Sequence, residues 1–355
     1  MKKYQIVEVC GSDNQHAGSK ATSDIFKIAE PLGFEPVYIK QGLPKSGLLV
    51  KLVNQWHYYS NWKQAFHSIQ AGSLLLLQHP FHHRQLGREK FLRRLKEEKQ
   101  VRFICLVHDV EELRNVSYLN NDQHKKEFDF MLELADQLIV HNQAMKDFFL
   151  SKGLPEGKLV VLGIFDYLTE LEPDEVRFSK SVTIAGNLSP YKSPYIEKIG
   201  DLEGISFDLY GPNYVQQDSG EQVCYHGSFP PDQLPSQLKQ GFGLVWDGDS
   251  IDECNGPFGN YLRYNNPHKL SLYIASGLPV IVWRQAALAG FVEERGLGLV
   301  VDSLREISLI LAKLDQTTYH TYAQNCLSLS QELRSGLYSQ NALDQAQARI
   351  SQWLA

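Results

Sequence analysis

The residues best placed to do chemistry lie between Tyr261 and Trp283, YLRYNNPHKLSLYIASGLPVIVW. Pro267 sets φ for a first helical turn, Lys269 to Ala275 can continue it, and Gly277 offers a left-handed residue to close it. Pro279 then opens a short apolar strand, Val280–Trp283. Lys269 falls in the first turn of that helix, where unpaired backbone N–H groups and the positive end of the helix dipole already favour an anion. Asn265, Asn266, His268 and Ser271 crowd four further hydrogen-bonding side chains into the same turn. The expectation is a phosphate site framed by Asn265, Asn266, Pro267, His268 and Ser271, with Lys269 neutralising the charge.

Other polar groups follow apolar runs. Asn14, Gly18 and Lys20 lie in or just beyond the loop after Gln5–Cys10. The glycine spacing there is neither G-x-G-x-x-G nor that of a P-loop, so a dinucleotide or ATP site is not supported. After Arg102–Val107 come His108 and Asp109, then Glu111, Glu112 and Arg114. Either His108 or Asp109 could act as a general base or serve binding alone, and neighbours on an extended chain point to opposite faces, which disfavours a direct pair. The run Gln78-His79-Pro80-Phe81-His82-His83-Arg84 lacks the spacing of a metal site and fits a contact with a bound substrate or a plain loop. Gly186, Asn187 and Lys192 follow one strand of the second half, and Tyr210 and Gly211 follow the next. Both stretches read as turns or as the wall of a pocket. Asp247 and Asp249 in WDGD form a superficial D-x-D, the pattern by which carboxylates hold a divalent cation.

These groups need a scaffold that gathers strand ends. Short apolar runs alternate with helix-period segments from Gln5 to Leu162, which predicts a parallel sheet covered on both faces. Gly163–Phe178 breaks the rhythm, and a second alternating set runs from Ser181 to Val301 before helical stretches close the chain. The reading is α/β: a first domain over 1–163, a linker over 164–178, a second domain over 179–330 and C-terminal helices over 331–355 that cross back. In open α/β sheets ligands bind beyond the carboxyl ends of the strands, where all the residues above are expected.

The combination of WDG at Trp246–Gly248, GPFGNYLRYNNPHK at Gly256–Lys269 and SLYIASGLPVIVW at Ser271–Trp283 resembles the donor-site region of GT-B glycosyltransferases. More narrowly it is similar to the β-1,6-galactofuranosyltransferase-like family, which includes streptococcal accessory glucosyltransferases acting on serine-rich adhesins. The resemblance implies two Rossmann-like domains around a cleft and a UDP-sugar donor, UDP-glucose first and UDP-galactofuranose second. The implied acceptor is a glycan or glycoprotein, such as O-linked GlcNAc on an adhesin, or a lipid-linked precursor. In that reading Asn187 or Tyr210 serves the nucleoside and Asp247 contacts the sugar or orders the Gly256–Asn266 loop. Lys269 stabilises the departing diphosphate without a metal or other cofactor, and Asn14, Gly18 and Lys20 face the cleft. Leu272 stands where many GT-B enzymes carry a ribose-binding glutamate, so ribose recognition must lie elsewhere. Rival readings are a galactofuranosyltransferase of polysaccharide synthesis, an epimerase or phosphorylase, and a non-catalytic subunit of a glycosylation complex.

Composition narrows the class. The chain has 355 residues, 43% hydrophobic and 21% charged, enough for two buried cores. A net charge of −6 argues against general nucleic-acid binding. No run approaches the ~18 apolar residues of a membrane span, and no signal peptide is recognisable, so a cytoplasmic location is expected. Cys10, Cys105, Cys224, Cys254 and Cys326 show no paired spacing, and Cys10 and Cys105 read as core thiols. Trp56, Tyr58, Tyr59 and Trp62 fit either the core or an interface, and the family resemblance makes a homo-oligomer the expected assembly.

Overall fold

The computed structural model describes residues 1–9, 17–40, 42, 47–81, 84–114, 121–216 and 221–354. Two six-stranded parallel sheets carry the molecule. The first contains β1 (Lys3–Val9), β2 (Phe34–Lys40), β3 (Leu74–His79), β4 (Arg102–Val107), β5 (Gln137–Val140) and β6 (Leu159–Val161), in the order β2-β1-β3-β4-β5-β6. The second contains β7 (Arg177–Ala185), β8 (Ser206–Tyr210), β9 (Val223–Tyr225), β10 (Gln240–Val245), β11 (Val280–Trp283) and β12 (Gly298–Val301), in the order β12-β11-β10-β7-β8-β9.

Because both faces are covered, the central strands carry runs of consecutive apolar residues rather than alternating ones. In the first sheet Leu75, Leu77, Phe103, Cys105 and Val107 face one core, while Leu74, Leu76, Ile104 and Leu106 face another. Cys105 lies in that core, and burial pushes its thiol up to about 12. The helix Leu337–Leu354 returns to the first sheet, and its stripe of Ala342, Leu343, Ala346 and Ile350 joins the second of these cores. Asp166, in the connection between the sheets, starts that helix by accepting hydrogen bonds from the amides of Tyr338 and Ser339 at 3.2 and 2.7 Å.

Two local readings change. Gly256–Asn266 is not simply a loop: Gly256–Tyr261 is helical, with Pro257 near its start, and its two glycines hid the period from the sequence. Pro267 caps rather than begins the next helix, His268–Ala275, since its ψ of 128° is extended. That helix packs tightly on β10, where a Cβ on Gly243 would lie 2.2 Å from Cγ of the buried Tyr273. Gly243→Ala is therefore expected to cost ~1–3 kcal/mol by overpacking. Urea denaturation measures it, and an unchanged midpoint would show that the helix can shift freely.

Candidate functional site

In the second sheet the chain proceeds outward from β7 through β8 to β9, then restarts on the other side of β7 at β10. The carboxyl ends of β7 and β10 thus flank the crevice at which open α/β sheets bind ligands. After β7, Gly186 adopts φ +142° with no atom within 4 Å of where a side chain would begin, leaving backbone open to a ligand. Lys192, at the end of the same loop, is half-buried with its Nζ 6.0 Å from the Phe258 ring centroid. After β10, the backbone oxygen of Trp246 and Oδ1 of Asp247 each accept a 2.9 Å hydrogen bond from Lys269 Nζ. Burial lowers the Lys192 pKa, opposed first by the attraction of Asp247 and aided by the repulsion of Lys269 and Arg114. Two ammonium groups against one carboxylate leave this crevice suited to an anion.

The acidic residues after β10 have separate partners. Asp247 is committed to Lys269, Asp252 pairs with Arg305 at 2.5 Å, and the Asp249 amide is held by Asn255 at 2.9 Å. Among the described residues no group of three or more metal-ligating side chains converges.

Across the crevice, the end of β4 sends His108 and Asp109 in different directions. His108 Nε2 lies 2.7 Å from Gln78 Oε1, and its ring stacks on Phe165 at 5.5 Å. Asp109 pairs with Arg114 at 2.8 Å and hydrogen-bonds the Tyr261 side chain. Burial raises the Asp109 pKa against the pull of Arg114, the direction that suits a carboxylate to taking up a proton. Beside this group a cavity of about 350 Å³ opens between the domains, lined by Leu113 and Arg114 on one side and by Gly256, Pro257 and Asn260 on the other.

Several expected ligand contacts are structural instead. Lys20 is buried, bonded to Asp24 at 2.6 Å and the Leu168 carbonyl at 2.5 Å and paired with Asp232 at 3.3 Å, so it joins the domains rather than facing a donor. Ser271 donates to the Phe165 carbonyl at 2.7 Å and is buried away from the crevice. His268 sits against Tyr167, and burial, with Lys20 nearby, drops its pKa to about 4, which favours the neutral ring. Asn187 is exposed, its Oδ1 accepting from the Ser189 amide of its own turn and from Asn213 Nδ2 of the loop after β8. Tyr210 is buried, stacked on His226 at 4.7 Å, and does not offer a free face to a base. Gly211 is required for a close backbone approach, since a Cβ there would fall 1.8 Å from the Gly186 carbonyl oxygen. His79 is core, edge-on to Phe81 and Phe128. Leu272 is likewise buried. Asn265 and Pro267 are half-buried on the approach to Lys269. Gly18 lies in the helix Ala17–Ala29; Asn14, His82 and His83 lie outside the described residues.

Asn266 is the main reassignment. Its backbone N–H donates to His141 Nδ1 at 2.9 Å, and its Nδ2 donates to the carbonyls of His141 and Gly163 at 2.8 and 3.0 Å. Its Oδ1 accepts from Asn142 Nδ2 at 2.7 Å, while Asn142 also donates to the Tyr264 carbonyl and caps the helix Gln143–Ser151. The sequence reading passed over His141 and Asn142, although they follow β5 at the very edge where polar residues matter. Tyr261 completes the joint: its hydroxyl accepts from the Val110 amide at 2.8 Å, and its ring is buried in the first domain's core.

The similarity searches agree with this architecture. Residues 3–164 match the family described as Glucosyltransferase 3-like, N-terminal domain, and residues 182–346 match its C-terminal domain counterpart. Beta-1,6-galactofuranosyltransferase WbbI of Escherichia coli K12 is 36% identical over 69% of this chain and 71% of its own. The chain belongs to the Glucosyltransferase 3-like family. It is a glycosyltransferase. Glucosyltransferase 3 of Streptococcus gordonii is 25% identical over 96% of this chain and 97% of its own. Sucrose-phosphate synthase of Thermosynechococcus elongatus shares the fold with a TM-score of 0.66 at 13% identity, over 98% of this chain and 99% of its own. Anabaena HepE, solved with UDP-glucose, shares it at 0.58 and 14% identity, over 97% and 99%.

The His141 contacts carry a pH signature. Its Nδ1 must accept from Asn266 and its Nε2 lies 3.0 Å from the Val107 carbonyl, so the ring is held neutral, and burial lowers its pKa to about 3. A histidine depressed in the folded state gives stability that is complete above its unfolded pKa, ~6.5, and is lost as pH falls towards the folded value. Asp166, raised to about 6 mainly by burial, works in the opposite sense over the upper part of that range. Thermal melts from pH 7 to pH 4 should show His141→Gln losing less stability than wild type, by ~2–4 kcal/mol. Parallel pH profiles would show that the ring does not carry this dependence.

Proposed function

We propose that this glycosyltransferase moves a hexose, glucose in the first instance, from a UDP-sugar to a hydroxyl of a neutral glycan without a metal ion. The observation that carries the proposal is the placement of Lys192 and Lys269 at the crevice of the second sheet, opposite Asp109 and the interdomain cavity. The diphosphate lies between the two lysines, with the N-terminus of the His268–Ala275 helix beneath it. Binding it opens the Lys269–Asp247 pair and leaves Asp247 free to order the sugar hydroxyls. Gly186 admits the nucleotide close to the backbone. As the bond from the anomeric carbon to the diphosphate breaks, the acceptor oxygen bonds to that carbon and its proton passes to Asp109. His108, held by Gln78, forms part of the cleft wall rather than the base.

The acceptor ring occupies the cavity of about 350 Å³, of a size with small-ligand pockets. Arg114 is answered there by Asp109 and Glu111, at 2.8 and 3.0 Å, so the pocket has no spare positive charge and suits a neutral sugar. The names of the streptococcal relatives support glucose as the donor sugar and that of WbbI supports galactofuranose as the second choice. An O-linked GlcNAc acceptor and a cytoplasmic site of action complete the reading.

Calorimetry in EDTA tests the donor half. UDP should bind wild type, and Lys269→Ala or Lys192→Ala should weaken it by ~10–100-fold, the worth of one charge-assisted hydrogen bond. Absence of UDP binding, or binding only after Mg²⁺ is added, would contradict it. Asp109→Asn should leave UDP affinity intact and lower sugar transfer by ~10²–10⁴-fold, as loss of a general base does; full transfer by that variant would remove Asp109 from the role.

A further inference from the structure

The helix Leu48–Ser68 buries Tyr58, Trp62, Ala65 and Phe66 against the first sheet but also carries an apolar stripe on its outer side. Leu49, Leu52, Val53 and Trp56 are 77%, 55%, 50% and 67% exposed, at the i, i+3, i+4, i+7 spacing of one helical face. Leu86, 45% exposed, extends the patch. Its position is fixed, because Gln55 Oε1 accepts from the Leu86 amide at 2.8 Å and Gln55 Nε2 donates to the Arg84 carbonyl at 2.9 Å. Trp56 is steadied edge-on to Tyr59 at 6.2 Å, whose hydroxyl is bonded by Lys90. Large apolar side chains gathered in this way mark an interaction surface.

The surrounding charge favours an anionic partner. In a chain of net charge −6 this helix contains Lys51, His57, Lys63 and His67 and no aspartate or glutamate. Exposed Arg84 and Lys90 add to the basic rim, with Glu89 beside them. Tryptophan and leucine on one strip with lysine and arginine around it is the chemistry of a surface that lies in the headgroup layer of an anionic bilayer. Topology gives the orientation. The helix follows β2 and runs back along the sheet, so its first two turns, which hold the stripe, stand at the carboxyl edge of the strands, as do Leu86 after β3 and Asp109 after β4.

We infer that the face formed by Leu49, Leu52, Val53, Trp56 and Leu86 docks on an anionic membrane surface and turns the acceptor side of the cleft towards it. The docking is peripheral: among the described residues no helix is long and apolar enough to cross a membrane. It does not depend on which sugar is transferred.

Sedimentation with vesicles of phosphatidylglycerol and phosphatidylcholine, against phosphatidylcholine alone, tests this on the full chain. Wild type should partition onto the anionic vesicles, with salt weakening the binding and Trp56 fluorescence moving to the blue. Leu52→Ser with Trp56→Ser should reduce partitioning by about tenfold or more, as expected when apolar area leaves the interface. Lys51→Glu should reduce it on anionic vesicles alone. Both variants alter exposed side chains, and an unchanged thermal midpoint confirms that they fold. Failure of wild type to bind anionic vesicles would overturn the inference. So would vesicle binding that the variants leave intact while light scattering shows them dissociating a wild-type oligomer, which would assign the stripe to a second copy of the chain.

Discussion

The buried amide of Asn266 ties the Lys269 end of the second domain to the first, and the geometry of the site depends on it. One residue gives its backbone N–H, both side-chain donors and its side-chain oxygen to His141, Gly163 and Asn142. Buried polar groups without partners are costly, so this network holds as a unit: moving either domain relative to the other near this point would strand several of them at once. Asn266 stands three residues before Lys269, so the lysine inherits its position from contacts with the opposite sheet.

Tyr261 and Lys20 reinforce the same joint from two sides. Tyr261 inserts a ring into the first domain's core and fixes the Val110 amide one residue beyond Asp109. Lys20 links the helix Ala17–Ala29 to Leu168 and to Asp232 in the second domain. The carboxylate on one side of the cleft and the ammonium groups on the other are thus positioned through short covalent and hydrogen-bonded paths. Such preorganisation is what electrostatic stabilisation of a departing diphosphate requires, because charge develops against groups already in place.

The alternation of apolar runs makes the two parallel sheets legible in the sequence, the strand-end rule singles out Lys192, Asp109 and Asp247, and the helix start singles out Lys269. What the sequence could not show was which polar side chains at those ends face solvent and which face the other domain. Asn266, Ser271 and Lys20 have the same chemistry as phosphate ligands, but the opposite domain or the connection between the domains takes their hydrogen bonds. Asn187 and Tyr210 have nearer partners, since one braces its own turn and the other is stacked beneath His226. His141 and Asn142 were legible in principle, as a polar pair directly after β5, yet their partners lie more than 120 residues away. The helix Gly256–Tyr261 was hidden because two glycines and a proline in six residues carry no helical period.

The central claim is that Lys192 and Lys269 together hold the diphosphate at the crevice between β7 and β10. A crystal structure of the protein with UDP bound tests it most directly. The account predicts phosphate oxygens within hydrogen-bond distance of both ammonium groups, with the Lys269–Asp247 pair opened and the Asn266 joint unchanged. A diphosphate lodged elsewhere in the cleft, with Lys269 still bonded to Asp247, would contradict it.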